Sequence, residues 1–203
     1  GNFLTASELD DAALRDSANS THRLLVMQAD GSAVDPGGTI ADRYGEDGKG
    51  KWNLRLDGVD PVMSVADVEA GDEFSGTAEL LLPRFDLPAS DSTEGPVGAG
   101  VVHRGVPVRR VAGRLVTTVY DLMLAHYGVR RDGLELPGQW PTGYDDADEV
   151  GTPAWAEELT GVPAAGAIRV AREFAQNAVD SKGRSQIIMG AGVNHYFNAD
   201  SHY

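Results

Sequence analysis

The stretch SQIIMGAGVNHYFNADSHY, residues 185–203, decides how the fold is interpreted. Its short apolar run up to Met189 has the composition of a strand that is buried on both faces of a parallel sheet. Gly190 and Gly192 then permit a sharp turn, of the kind that in α/β proteins often leads into a helix able to hold a phosphate. Because a helical pattern precedes the run, the order helix, strand, glycine turn predicts half of a βαβ unit.

The helix before this stretch is amphipathic. One face carries apolar residues at i, i+3, i+7 and i+10, and the other face is polar. The apolar positions are Ile168, Ala171, Ala175 and Ala178, and the polar ones are Arg169, Arg172, Glu173 and Gln176.

Two shorter helices are predicted upstream. The first begins at Thr118 and stops at Gly128, a residue suited to the position just after a helix. The second has Thr152 as its N-cap, Pro153 in the first position and Gly161 at its end. Residues 118–203 are therefore predicted to be a partial α/β segment that ends in a polar loop.

Residues 1–117 differ in character, with short apolar runs between Gly, Asp and Pro. The capping-box pattern TASE predicts a short helix over residues 5–14. Asp30-Gly31 and Ala112-Gly113 lie between apolar runs, which predicts two hairpins. We interpret this half as an irregular, β-rich accessory module. The fold class predicted for the chain is thus α+β or α/β.

Charge and composition exclude several functions. Thirty-one acidic residues against 17 basic ones give a formal charge of −14, which repels phosphate backbones and disfavours nucleic-acid binding. The sequence has no cysteine, so it holds no disulfide, zinc–thiolate site or cysteine-ligated iron–sulfur cluster of its own. No apolar run approaches the roughly 18 residues that a membrane helix needs, and no signal-peptide pattern opens the sequence.

The polar cluster after the glycine turn is the main candidate site. Gly190 and Gly192 match the first two positions of the dinucleotide motif G-x-G-x-x-G, but His195 replaces the third glycine, and no acidic residue follows at the required distance. A metal site formed by His195, Asn198, Asp200 and His202 would need ligands from elsewhere. Residue types alone therefore predict no complete catalytic or metal site. A free-standing, non-catalytic module that binds an anion or a partner through this loop stays open.

Several segments together resemble a known family of enzymes. They are GKWNL at 50–54, VRR with LVTTVYDLMLAHYGV at 108–129, TPAWAEELTGVP at 152–163, IRVAREFAQNA at 168–178 and GRSQIIMGAGVNHYF at 183–197. In this order they resemble the catalytic alpha subunit of respiratory, membrane-bound nitrate reductases, which are molybdopterin enzymes of the dimethyl sulfoxide reductase family. Tyr196 and Asn198 depart from the Trp and His that the resemblance leads us to expect.

The resemblance implies that the chain is an internal fragment of a much longer subunit. It implies a molybdenum bis(molybdopterin guanine dinucleotide) cofactor and an iron–sulfur cluster in that parent, an iron–sulfur beta subunit and a membrane gamma subunit as partners, and a place on the cytoplasmic side of the membrane. Gly190, Gly192, Asn194 and His195 match a loop expected to face the cofactor. The molybdenum and cluster ligands are expected outside these 203 residues. The fragment alone is therefore expected to be inactive, a scaffold with one wall of the cofactor pocket.

Overall fold

The computed structural model describes residues 2–35, 61–69, 74–84 and 100–188. Its helices are α1 (Ala12–Arg15), α2 (Val119–His126), α3 (Pro153–Thr160) and α4 (Ala164–Asp180). Its strands are β1 (Val26–Met27), β2 (Ala33–Val34), β3 (Phe74–Pro83), β4 (Val101–Val111) and β5 (Arg114–Val116). Three short 3₁₀ turns cover Ala6–Glu8, Ser20–His22 and Val65–Asp67. The described residues thus form a mixed α and β structure, which confirms the predicted class.

Both predicted hairpins are present. β1 and β2 pair antiparallel, with Val26 opposite Val34, around the Asp30-Gly31 turn. β4 and β5 pair antiparallel across Ala112 and Gly113, whose φ angles of 48° and 75° are the positive values that a two-residue hairpin turn requires. β3 adds to the other edge of β4, so the larger sheet has the order β3-β4-β5.

The ends of the helices also follow the sequence. Thr118 accepts a hydrogen bond from the Asp121 backbone N–H at 3.1 Å, and Gly128 takes φ 74° just past the end of α2. Thr152 accepts one from the Trp155 N–H at 3.1 Å at the start of α3. Side-chain caps of this kind satisfy backbone N–H groups that the first turn of a helix leaves unpaired. A residue type that can cap in this way therefore predicts where a helix begins.

The first helix is divided where a single one was expected. The 3₁₀ turn Ala6–Glu8 ends, and α1 begins separately at Ala12. Asp11 causes the break, because its carboxylate accepts hydrogen bonds from the N–H groups of Ala13 at 2.8 Å and Leu14 at 3.3 Å. A residue that caps a new helix adopts extended backbone angles and cannot continue the previous one.

The predicted buried strand at the start of the glycine-rich stretch is wrong over residues 185–188. These residues form no strand, and Ile187 and Ile188 are 73% and 85% exposed. Both described sheets are antiparallel. A central parallel strand needs a neighbour on each edge, and the described part of the chain offers none to this segment.

The core lies between the three-stranded sheet and α2. Val106 and Val108 of β4 pack with Ala125 of α2, and these three side chains are at most 5% exposed. Around them lie the half-buried side chains of Ala78, Leu80, Leu82, Leu122 and Trp140. The first half of the chain is joined to this core at the start of α2, where the Asp121 carboxylate accepts a hydrogen bond from the Val65 N–H at 3.2 Å.

Candidate functional site

The residues predicted to face a cofactor lie outside the described part of the chain. These are Gly190, Gly192, Asn194 and His195. The structure describes the approach to them as far as Ile188. There the chain leaves α4 through Lys182 and Gly183, which have φ angles of 57° and 90°. The structure therefore positions the helix and turn before the predicted loop, and the role of the loop residues stays a prediction.

The most strongly built polar centre among the described residues is the buried Arg104 guanidinium. Arg104 lies on β4 and has no exposed surface. Its Nη1 donates to the carbonyl oxygens of Ala125 at 2.8 Å and His126 at 3.0 Å, the last turn of α2. Carbonyls at the end of a helix lack partners within it and carry partial negative charge, so a buried cation suits this place.

Arg104 also holds the long segment after α2. Its Nε donates to the Gln139 carbonyl at 3.1 Å, and its Nη2 donates to the Val150 carbonyl at 3.3 Å and the Glu149 carboxylate at 3.4 Å. The ring of Trp140 lies 5.8 Å from the guanidinium carbon. Burial lowers the pKa of Arg104, and Glu149 opposes that shift. One side chain thus ties β4, α2 and the segment 137–150 together.

A polar cleft of about 540 Å³ lies beside this centre. Its described lining is Glu79, Arg84, Val101, Val102, His103, Gly138, Gln139 and Glu149. Within it the His103 Nδ1 and the Glu79 carboxylate are 2.9 Å apart, and both side chains are partly exposed. This described lining contains no serine, threonine, cysteine or lysine to act as a nucleophile.

No metal centre is formed by the described residues. Within residues 2–35, 61–69, 74–84 and 100–188, no group of three or more His, Cys, Asp or Glu side chains could hold a metal ion. Two of the histidines have other partners: the His126 Nε2 donates to the Pro83 carbonyl at 2.9 Å, and the His22 Nδ1 lies 3.0 Å from the Thr21 hydroxyl. In the same part of the chain, no helix combines the length and the apolar character that crossing a bilayer demands.

The loop before α3 is closed by a carboxylate. The Asp146 carboxylate accepts hydrogen bonds from the backbone N–H and the hydroxyl of Thr142, each at 2.9 Å. These bonds, the backbone one first, lower the pKa of Asp146. The Asp146 carbonyl in turn accepts from the Thr152 hydroxyl at 2.6 Å, so the loop is joined to the N-cap of α3.

Removing one of these bonds is expected to shift the titration of Asp146. In Thr142→Val the backbone donor stays and the hydroxyl is lost, so the pKa of Asp146 should rise part of the way toward its ordinary value. Because the folded pKa is depressed, the stabilisation is complete above the ordinary pKa and is lost as pH falls through the folded pKa. NMR titration of the Asp146 carboxyl carbon in both proteins measures this. An identical titration curve in the variant would contradict it.

Comparison with curated proteins identifies relatives along the whole chain. The nitrate reductase alpha subunit of Mycobacterium tuberculosis (strain ATCC 25618 / H37Rv) is 48% identical over 204 residues, which cover 100% of this chain and 16% of that protein. The respiratory nitrate reductase 1 alpha chain of Escherichia coli K12 is 38% identical over 212 residues, again covering 100% and 16%. The nitrate reductase alpha chain of Bacillus subtilis is 39% identical over 178 residues, covering 83% and 13%. No family model matches the chain.

These three relatives are all nitrate reductase alpha subunits or alpha chains by name. The chain belongs to the family of nitrate reductase alpha subunits, as the sequence resemblance implied. The chain spans only 13–16% of the length of the three relatives described. Arg104 was not singled out from the sequence, although a signal exists: it lies two residues from Val102 and Val106, on the same face of β4 as these buried valines and Val108.

Proposed function

We propose that this chain is a segment of the catalytic alpha subunit of a molybdenum-dependent respiratory nitrate reductase, which reduces nitrate to nitrite. The observation that carries the proposal is the 48% identity to a nitrate reductase alpha subunit over the full 203 residues. The match covers the whole chain, including the segment from Gly190 to His195. This coverage supports the proposal that the whole segment has the same role as the matching segment of such subunits.

Within that subunit the chain acts as scaffold and as one wall of the cofactor pocket. The buried Arg104 centre fixes β4, α2 and the loop to α3, and α3 and α4 lead to the predicted pocket residues. Glycines at 190 and 192 allow the backbone to approach a bulky cofactor closely. Asn194 and His195 supply hydrogen-bonding groups that can orient the cofactor or a bound oxyanion.

The metal ligands of the parent enzyme lie in other parts of the subunit. The described residues form no metal-binding cluster, and the sequence has no cysteine to bind an iron–sulfur cluster. A bis(molybdopterin guanine dinucleotide) molybdenum centre supplies the oxygen-atom and electron-transfer chemistry when bound, and the protein positions and shields it. The residues of this chain bind and orient the cofactor. The 203 residues alone do not turn over nitrate.

The partners follow from the same assignment. The parent alpha subunit works with an iron–sulfur beta subunit and a membrane gamma subunit, at the cytoplasmic side of the membrane. Respiratory nitrate reductase alpha chains are among the relatives, and the designation alpha implies a complex of several chains.

The test is nitrate reduction by the full-length alpha subunit in its native complex, with a reduced dye as electron donor. We expect wild-type turnover, and a loss of about 10- to 100-fold for Asn194→Ala or His195→Ala, as for groups that orient metal ligands. Glu173→Gln, on the solvent-facing side of α4, serves as the control and should keep full activity. Turnover by the isolated 203-residue chain, or a full-length complex that cannot reduce nitrate, would contradict the proposal.

A further inference from the structure

The chain leaves the long helix α4 through a turn that is fixed by its own backbone. Lys182 and Gly183 take the left-handed φ angles of 57° and 90°. The Gly183 N–H donates to the Ala178 carbonyl at 2.7 Å, and the Lys182 N–H donates to the Val179 carbonyl at 3.4 Å. This pair of bonds ends many helices, and it is often accompanied by an apolar contact made by the residue at the position of Gly183. Gly183 has no side chain for such a contact, so other groups set the direction of the chain beyond it.

A polar network formed by the side chains of Asn177, Ser181 and Ser185, the exit network, sets that direction. The Asn177 amide nitrogen carries two hydrogens, and it donates to the Arg184 carbonyl at 3.2 Å and to the Ser185 hydroxyl at 2.8 Å. The Ser185 hydroxyl in turn donates to the Phe174 carbonyl at 2.9 Å, and the Ser181 hydroxyl accepts from the Arg184 N–H at 3.1 Å. Residues 184 and 185 are therefore tied back along the last two turns of α4.

The exit network stands directly before the predicted cofactor-facing loop in the sequence. Only four residues separate Ser185 from Gly190. Among the described residues, Ser185 makes the last hydrogen bonds before that loop, and residues 186–188 are exposed. The contacts that direct the chain toward the loop are therefore those of the exit network.

We propose that Asn177 is a positioning residue for nitrate reduction, which acts through Ser185 to direct the chain toward Asn194 and His195. The inference rests on the proposed function, because these two residues are the ones assigned there to the cofactor pocket. Asn177 acts by holding the exit of α4 rather than by contacting the cofactor. Such holding matters for a rate, since a misplacement of about 1 Å at a reaction centre can slow the reaction by about 100-fold.

The amide group is the part of Asn177 on which this role depends. The Asn177 side chain is exposed, so it contributes by its hydrogen bonds rather than by filling space. Aspartate has nearly the same shape, but its carboxylate carries no N–H and only accepts hydrogen bonds. Asn177→Asp therefore loses the bond to the Arg184 carbonyl and places a negative charge beside that oxygen. A residue that served only to fill space would tolerate this exchange.

The test compares Asn177→Asp with Gln176→Glu in the full-length alpha subunit within its native complex. Gln176 precedes Asn177 on α4, and its amide donates to the Asp180 carboxylate at 2.8 Å, within the helix. Both variants exchange an amide for a carboxylate, but only Asn177→Asp breaks the exit network. We expect kcat/KM for nitrate, expressed per bound molybdenum, to fall about 10-fold or more in Asn177→Asp and to keep the wild-type value in Gln176→Glu. Equal values for the two variants would overturn the proposal.

Combined variants separate positioning from a general loss of stability. Ser185→Ala removes the hydroxyl that joins Asn177 to the Phe174 carbonyl, so it should lower kcat/KM by a similar factor. Because Asn177 and Ser185 act through one network, the double variant should lie no more than about 3-fold below either single variant. In a subunit that already carries Asn194→Ala and His195→Ala, adding Asn177→Asp should likewise cost no more than about 3-fold. Fully multiplicative losses would show that Asn177 does not act through Ser185 and the loop.

The same measurements keep this inference apart from the proposed function. A wild-type complex that does not reduce nitrate would refute the proposed function itself. An active wild-type complex that loses activity in His195→Ala but keeps it in Asn177→Asp would refute only the positioning role. Activity per bound molybdenum counts only loaded protein, so a variant that folds or loads poorly still gives a decisive value.

Discussion

Arg104→Met is expected to destabilise the 203-residue chain by about 3–5 kcal/mol, the cost of removing one partner from a buried charged network. Methionine fills part of the space but donates no hydrogen bond. The carbonyls of Ala125, His126 and Val150 then lose a buried donor, and the Glu149 carboxylate loses its cation. Urea unfolding followed by tryptophan fluorescence, to which Trp140 contributes with its ring 5.8 Å from the guanidinium, measures the change.

Two further variants separate the network from ordinary packing. Arg110→Met makes the same substitution on the same strand at an exposed position, where the guanidinium donates to the Gly113 carbonyl at 2.8 Å, and should cost less than about 1 kcal/mol. Arg104→Lys keeps the charge but cannot reach acceptors on three sides, so an intermediate loss is expected. A cost for Arg104→Met no greater than that for Arg110→Met would show that the buried network contributes little.

Local chemistry explains which parts of the fold were predictable. The hairpin at Ala112-Gly113 and the caps at Thr118 and Thr152 involve residues within a few positions of one another. Sequence patterns report such short-range interactions directly. The Asp11 break was missed for a related reason, because a second capping residue close behind the first competes with it for the same short helix.

Contacts between residues far apart in the sequence could not be predicted from it. Arg104 was missed because its acceptors lie 21 to 46 residues away, and no periodicity connects them. The predicted strand at 185–188 failed in a different way. Its apolar composition reflects burial that needs neighbouring strands, and the described chain provides antiparallel sheets elsewhere. The predicted cofactor-facing residues, 190–195, lie outside the described ranges, so sequence comparison remains their support.

Gly138→Ala is expected to destabilise the chain by at least about 3 kcal/mol, because strain and steric overlap act together. Gly138 has φ 99° and lies against β4, where a Cβ would come within 2.8 Å of the Arg104 Cα. On either side of it, the Gln139 N–H donates to the His103 carbonyl at 2.7 Å, and the Gly105 N–H donates to the Pro137 carbonyl at 2.8 Å. Moving the loop to admit the methyl group would break both bonds and displace the Gln139 carbonyl from Arg104.

Variants at two other glycines measure the backbone strain and the steric overlap separately. Gly133 has φ 79°, and a methyl group added there would meet no described atom within 4 Å, so Gly133→Ala measures backbone strain alone, about 1–2 kcal/mol. Gly105 has no positive φ, but its Cβ would lie 2.8 Å from the Pro137 nitrogen, so Gly105→Ala measures overlap alone, about 1–3 kcal/mol. Urea unfolding of all three variants gives the comparison. If Gly138→Ala costs no more than Gly133→Ala, the loop moves to admit the methyl group without a loss of stability. The close pairing of residues 137–139 with β4 would then not stabilise the fold.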